Sequence, residues 1–131
     1  MGAQASVEIV LDAGALIAFE KANPKMRAIA QESLRRGLRL LVPTTVLAQV
    51  WRSPARHTRI STLVNSRNSE VVAFDQSLAE ATGLLCAFRG TNDIVDASVV
   101  VLAQIRHARI VTTDPKDLLH LNPKADLAIV T

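Results

Sequence analysis

At 131 residues, 49% of them hydrophobic and 21% charged, the chain is long enough for one domain with a buried core and too apolar for disorder. One cysteine, Cys86, excludes a disulfide framework, and no Cys/His pair stands at zinc-binding spacing. Net charge is only +3, no apolar stretch reaches bilayer-spanning length, and nothing at the amino terminus reads as a signal peptide, so the expectation is a cytoplasmic protein with no membrane.

Residues 7–11 form a compact apolar run bounded by Asp12 and Gly14, the mark of a buried strand. The pattern then turns helical over 13–20 and is punctuated by Asn23-Pro24. A second helix follows to about residue 36, where Gly37 ends it. Residues 39–42 read as the next strand, stopped by Pro43. Thr44 or Thr45 caps a helix carrying Val46, Leu47, Val50 and Trp51, and Ser53-Pro54 breaks it. A helix over 55–66, a strand over 71–74 and a helix capped by Asp75 and running to about residue 89 come next. After the turn Gly90-Thr91-Asn92, residues 93–107 give the most apolar helix of the chain, with Val99, Val100, Val101 and Leu102 in series. A strand over 109–113, a short helix over 115–121 and a strand over 127–130 close the chain. Such alternation predicts an α/β fold, a parallel sheet with helices on both faces, whose ligands bind beyond the carboxyl ends of the strands. Cys86 falls within a helical apolar pattern and is expected to be an inert core thiol.

Charge is unevenly distributed. No acid occurs between Glu32 and Glu70, while Arg35, Arg36, Arg39, Arg52, Arg56, Arg59 and Arg67 all lie there. The segment suits a phosphate backbone; a solvated face or an acidic partner is the alternative. Trp51 beside these arginines reads equally as core filling and as a docking surface.

The acids fall into three stretches: Asp12 at a strand end, Asp93 and Asp96 at a helix start, and Asp114 with Asp117 after the penultimate strand. Singly, each has a structural role. Asp12, Asp93 and Asp114 are placed to cap helices, Pro115 follows as a first helical residue, and Asp117 complements the helix dipole. Together, carboxylates at strand ends and a helix head form a hard-oxygen site for Mg²⁺ or Mn²⁺, and Asp96 at the head of a very apolar helix needs a partner. No glycine-rich phosphate loop and no nucleophile elbow is present, which argues against nucleotide hydrolysis and acyl transfer.

Four segments resemble the motifs of the PIN-domain ribonucleases, in particular the VapC-like toxins of bacterial toxin–antitoxin pairs. They are Leu11-Asp12-Ala13-Gly14-Ala15-Leu16-Ile17, the run from Val42 to Val50, the run from Asp96 to Ala103, and the run from Ile110 to Leu118 containing Thr112-Thr113-Asp114. The resemblance covers nearly the whole chain. It implies one PIN-like domain over 1–131, in three α/β/α layers around a mainly parallel sheet. It further implies that Asp12, Asp96 and Asp114 bind Mg²⁺ or Mn²⁺ for hydrolysis of RNA by a metal-activated water. Asp93, Asp117, Gln49 and Thr112 become auxiliary, and Arg52, Arg56 and Arg59 become candidates for guiding RNA. A small antitoxin and a second copy of the chain are the implied protein partners. One position departs from the pattern: Gln49 stands where the family usually has a glutamate. A non-catalytic module binding RNA or a partner is therefore the competing expectation.

Overall fold

The computed structural model describes residues 8–131. Residue 7 of the predicted first strand, and everything before it, lies outside the described residues. In chain order the elements are β1 (Glu8–Leu11), α1 (Ala13–Glu20), α2 (Pro24–Arg36), β2 (Arg39–Pro43), α3 (Thr44–Val50), α4 (Thr58–Val64), β3 (Ser69–Val72), α5 (Gln76–Arg89), α6 (Ile94–Arg106), β4 (Arg109–Thr112), α7 (Pro115–Leu121) and β5 (Leu127–Ile129). The helices flank a five-stranded sheet of order β3-β2-β1-β4-β5 in which every pairing is parallel. Val10, Leu11, Leu40, Leu41, Val42, Ile110 and Val111 of the three central strands are buried, as expected for strands covered on both faces.

Strand order fixes where a site can form. The chain starts at the centre, moves outward through β2 to β3, then crosses back to lay β4 against the other side of β1. Order reverses between β1 and β4, the position at which sheets of this class open a crevice at their carboxyl ends. Leu11 is in register with Val111, so Asp12 and the Thr112–Asp114 segment leave the sheet side by side. The crossover ends in α6, which runs into β4 through His107 and Ala108. Because the tail of α6 meets the start of β4, its head lies toward the end where β4 finishes. Ala97 to Ala103 are buried without interruption, which anchors this helix under the site.

The helix ends follow local chemistry. The Asn23 side-chain Oδ1 accepts the Met26 amide at 3.0 Å ahead of Pro24, and Gly37 closes α2 with φ of +70°. Asp75 caps α5 through the Leu78 amide at 2.9 Å. β2 runs one residue longer than expected and β4 and β5 one residue shorter, and three further features differ. β3 spans Ser69–Val72 because pairing to β2 sets Ser69 opposite Leu40 and Val72 opposite Pro43, leaving Ala73 and Phe74 beyond the ladder. α4 starts at Thr58, since Pro54 to Arg56 form a turn. Neither Thr44 nor Thr45 caps α3; Pro43 holds the cap position, the Thr44 hydroxyl accepts the Phe74 amide at 3.0 Å, and Thr45 bonds Ser98.

Candidate functional site

Asp12 is buried directly beyond β1. Its Oδ1 accepts the Ala15 amide at 2.8 Å, so the residue caps α1 and its carboxylate is fixed in direction. Burial raises its pKa and the nearby Asp114 charge adds to the rise, while the Thr112 hydroxyl and the amides of Ala15 and Gly14 oppose it. Beyond β4 the buried Thr112 hydroxyl accepts the Asp114 amide at 3.1 Å and donates to the Asp114 carbonyl at 3.2 Å. This small ring presents the Asp114 side chain, which is exposed and accepts the Lys116 amide at 3.3 Å.

Gly14 lets the two strand ends approach. A Cβ there would stand 2.2 Å from the Thr113 hydroxyl, so a side chain at this position would force that hydroxyl to move.

The head of α6 supplies the next group. Asp93 is exposed and its Oδ1 accepts the Asp96 amide at 3.1 Å. Asp96, one turn in, is half-buried. Carboxylate oxygens of Asp93, Asp96 and Asp117 all lie within 4.8 Å of one another. Burial first, then the hydrogen bond and charge of Asp93 and the charges of Asp12 and Asp117, push the pKa of Asp96 up to about 7. Asp96 therefore senses acids from β1, its own helix and α7. None of the ion pairs among the described residues includes any of these five aspartates. Three carboxylates this close, half-buried Asp96 beside exposed Asp93 and Asp117, have the donor set of a hard divalent ion such as Mg²⁺ or Mn²⁺. The sequence put Asp93 and Asp117 in secondary roles; in space it is these two, with Asp96, whose oxygens gather.

Gln49 is exposed on α3, one turn beyond Thr45, whose hydroxyl bonds Ser98 of α6 at 2.6 Å. Ser98 also donates to the Val95 carbonyl at 2.6 Å, so a hydroxyl pair ties α3 to the helix bearing Asp96. The i, i+4 spacing puts Gln49 on the α3 face that Thr45 uses.

The arginines are less free than the sequence suggested. Arg52 donates to the Trp51 carbonyl at 2.8 Å, and Arg59 donates to the Glu20 carbonyl at 3.0 Å with the Glu20 carboxylate at 3.9 Å. Arg56 is exposed on the intervening turn, where the Ser53 hydroxyl accepts its amide at 3.2 Å. Trp51 packs partly buried against the core. Its ring lies 5.6 Å from that of His57, which is buried and whose Nδ1 accepts the Arg52 amide at 3.2 Å. The Ser53-Pro54 turn, which folds residues 51–57 back on themselves, was the only sequence signal for that pairing.

Residues 9–121 match the PIN domain family. The chain belongs to that family. Solved structures of similar fold agree with it. A VapBC2 structure from Rickettsia felis, bound to a promoter DNA fragment, aligns with TM-score 0.72 at 14% identity, covering 95% of this chain and 100% of that one. A DNA-bound VapBC structure from Salmonella typhimurium aligns with TM-score 0.68 at 19% identity, covering 94% and 98%. VapBC-5 from Mycobacterium tuberculosis, a member of the VapBC toxin–antitoxin family, aligns with TM-score 0.54 at 21% identity, covering 95% and 98%. At these identities the structures speak for the PIN fold. No curated protein sequence matches the chain significantly.

Proposed function

We propose that this PIN domain is a divalent-cation-dependent endoribonuclease and the toxin of a toxin–antitoxin pair. The observation that carries the reading is the cluster of Asp93, Asp96 and Asp117, whose carboxylate oxygens lie within 4.8 Å of one another, with Asp12 and Asp114 at the ends of the adjacent strands β1 and β4 and none of the five in an ion pair among the described residues. Asp96, sensing acids on three elements, is the central ligand. Asp12 and Asp114 stand on its β1–β4 side, and Asp93 and Asp117 complete its other side. Thr112 acts through Asp114 by holding its backbone. When bound, Mg²⁺ or Mn²⁺ supplies the positive charge that lets a phosphodiester approach these acids and makes water nucleophilic at neutral pH. Arg56, exposed and beside the anchored Arg52 and Arg59, is the residue of the three best placed to meet the RNA backbone.

A partner of the antitoxin kind fits the hollow of about 480 Å³ between α2 and α4. Phe19, Leu34 and Leu63 give that hollow an apolar lining, and Arg27 and Arg59 border it. Apolar packing with flanking positive charge suits an amphipathic acidic segment.

The second reading is a module that binds RNA or a protein without cutting. Gln49 favours it, because an exposed neutral amide stands on the α3 face tied to α6 and is a poorer ligand for a hard cation than a carboxylate. An RNA cleavage assay separates the two. With Mn²⁺ the protein is expected to cut RNA, EDTA to abolish the cutting, and Asp12→Asn or Asp96→Asn to lower it by at least about a hundredfold. Cutting that persists in EDTA or in both variants refutes the metal mechanism. RNA binding without cutting, together with cutting gained by Gln49→Glu, establishes the second reading.

A further inference from the structure

His120 lies on α7 one turn beyond Asp117, so the two share a side of the helix. Its ring Nε2 stands 2.9 Å from the Arg89 carbonyl. A carbonyl only accepts, so Nε2 carries the hydrogen and His120 is the donor. Arg89 is the last residue of α5, and its carbonyl is one of those a helix leaves without an internal partner. From there the chain passes through Gly90, in left-handed backbone, to the head of α6. That passage is fixed at each step. The Thr91 amide donates to the Cys86 carbonyl at 3.0 Å, and the Thr91 hydroxyl accepts the Asp93 amide at 3.2 Å. Asp93 then caps α6 through the Asp96 amide at 3.1 Å. The His120 hydrogen bond thus joins the helix that carries Asp117 to the frame that carries Asp93 and Asp96.

We propose that His120 is a positioning residue for the cation site, holding α7 so that Asp117 stays within reach of Asp93 and Asp96. Core packing alone leaves that placement loose. Leu118 and Leu121 are buried one turn apart and pin α7 along a single line, about which a helix of seven residues can still rock. The acids themselves favour such rocking. Like charges within 4.8 Å repel, and Asp117 is the one of the three carried on a separate, short helix. Asp117 is exposed, and no ion pair among the described residues restrains it. A donor on its own side of α7, bonded to the end of α5, opposes the motion. The last turn of α5 also carries the negative end of that helix's dipole, which strengthens the attraction for the imidazole N–H. This role rests on the reading of the three acids as a divalent-cation site, and not on the cleavage of RNA.

Calorimetric titration of Mn²⁺ into the full chain is the test, in wild type, His120→Ala, His120→Gln, Asp117→Asn and the variant combining His120→Ala with Asp117→Asn. His120 is exposed, so the circular dichroism spectrum is expected to be unchanged in each. Loss of the one hydrogen bond is expected to raise the Mn²⁺ dissociation constant about three- to tenfold in His120→Ala. A glutamine amide also donates from the end of its side chain, so His120→Gln is expected to bind within about twofold of wild type. Because His120 acts through Asp117, adding His120→Ala to Asp117→Asn is expected to weaken binding by less than about twofold further. His120→Ala binding as tightly as wild type overturns the proposal and leaves the cation site standing. Additive losses in the combined variant, or no rescue by glutamine, make the role of His120 a general structural one and overturn it as well. A wild-type chain that takes up no Mn²⁺ overturns the cation reading itself, and this role with it.

Discussion

The two ends of the sheet treat charge in opposite ways. At the amino end, Arg106 at the tail of α6 donates to Glu8 at the start of β1 through Nε at 2.9 Å and reaches Glu70 of β3 at 3.4 Å. Arg39 at the start of β2 meets the same Glu70 at 3.0 Å, and Arg109 at the start of β4 meets Asp126 at 3.2 Å. At the carboxyl end, Asp93, Asp96 and Asp117 gather, Asp12 and Asp114 follow the ends of β1 and β4, and none of the five has an ion-pair partner among the described residues. One helix serves both ends, with Asp96 at its head and Arg106 at its tail. The amino end spends its charges on holding strands in register. The carboxyl end keeps its repulsion, and a fold tolerates that where an external cation completes the arrangement.

The comparison breaks most visibly under a change of pH or metal. The folded pKa of Asp96, about 7, lies above its unfolded value of 3.8. Between those values the folded chain holds a proton that the unfolded chain has lost, so acidification stabilises the fold and the gain disappears as pH rises through about 7. Asp12 shifts the same way. Without metal, the melting temperature is expected to be higher at pH 5.5 than at pH 8 by roughly 4 °C, allowing for the half-exposure of Asp96. Saturating Mn²⁺ at pH 8 is expected to raise it by roughly 8 °C or more, and the rise should vanish in Asp96→Asn. Differential scanning calorimetry reads both, and a metal-free fold that melts lower at pH 5.5 contradicts the account.

At the other end, Arg106→Met removes the shared partner of Glu8 and Glu70. Its side chain is 28% exposed and that of Glu8 17%, so the loss falls between that of a surface pair and that of a buried one, about 1–3 kcal/mol in urea unfolding. Mn²⁺ affinity should stay within about twofold of wild type, because sites this far apart with no shared partner act independently. A loss of Mn²⁺ binding equal to that of Asp96→Asn shows that the two ends are coupled through α6.

The smallest effect is a local one. Gly14→Ala forces the Thr113 hydroxyl to turn away, at about 1 kcal/mol, and Thr113→Ala should recover most of it, since the clash is with a side-chain end. A double variant no more stable than Gly14→Ala places the strain in the backbone instead.

The features legible in the sequence were those written locally. Asn23-Pro24, Gly37, Asp12, Asp75 and Asp114 each announced a helix end through the chemistry of one or two residues, and strand–helix alternation implied the parallel sheet. The cap of α3 misled because Thr44 and Thr45 have better use for their hydroxyls in contacts with Phe74 and Ser98, 30 and 53 residues away. The edge strand β3 misled because pairing with β2, not its own apolar run, sets its length. The acids were visible as a set, but the grouping of Asp117 with Asp93 and Asp96 depends on how α7 packs beside α6, which no periodicity encodes. The anchoring of Arg52 and Arg59 was hidden for the same reason, because their acceptors are backbone carbonyls.

The central position of β1 also governs when the acidic rim exists during synthesis. Asp12 leaves the ribosome early, yet the strand that lies against it on that side begins at Arg109, and Asp117 follows later still. Until those residues emerge, β1 has only β2 for a neighbour, α6 has no β4 to dock beside, and the carboxylates stay dispersed along a partly folded chain. Completion of the acidic rim therefore waits for the segment from Arg109 to Asp117. The delay is written into strand order alone.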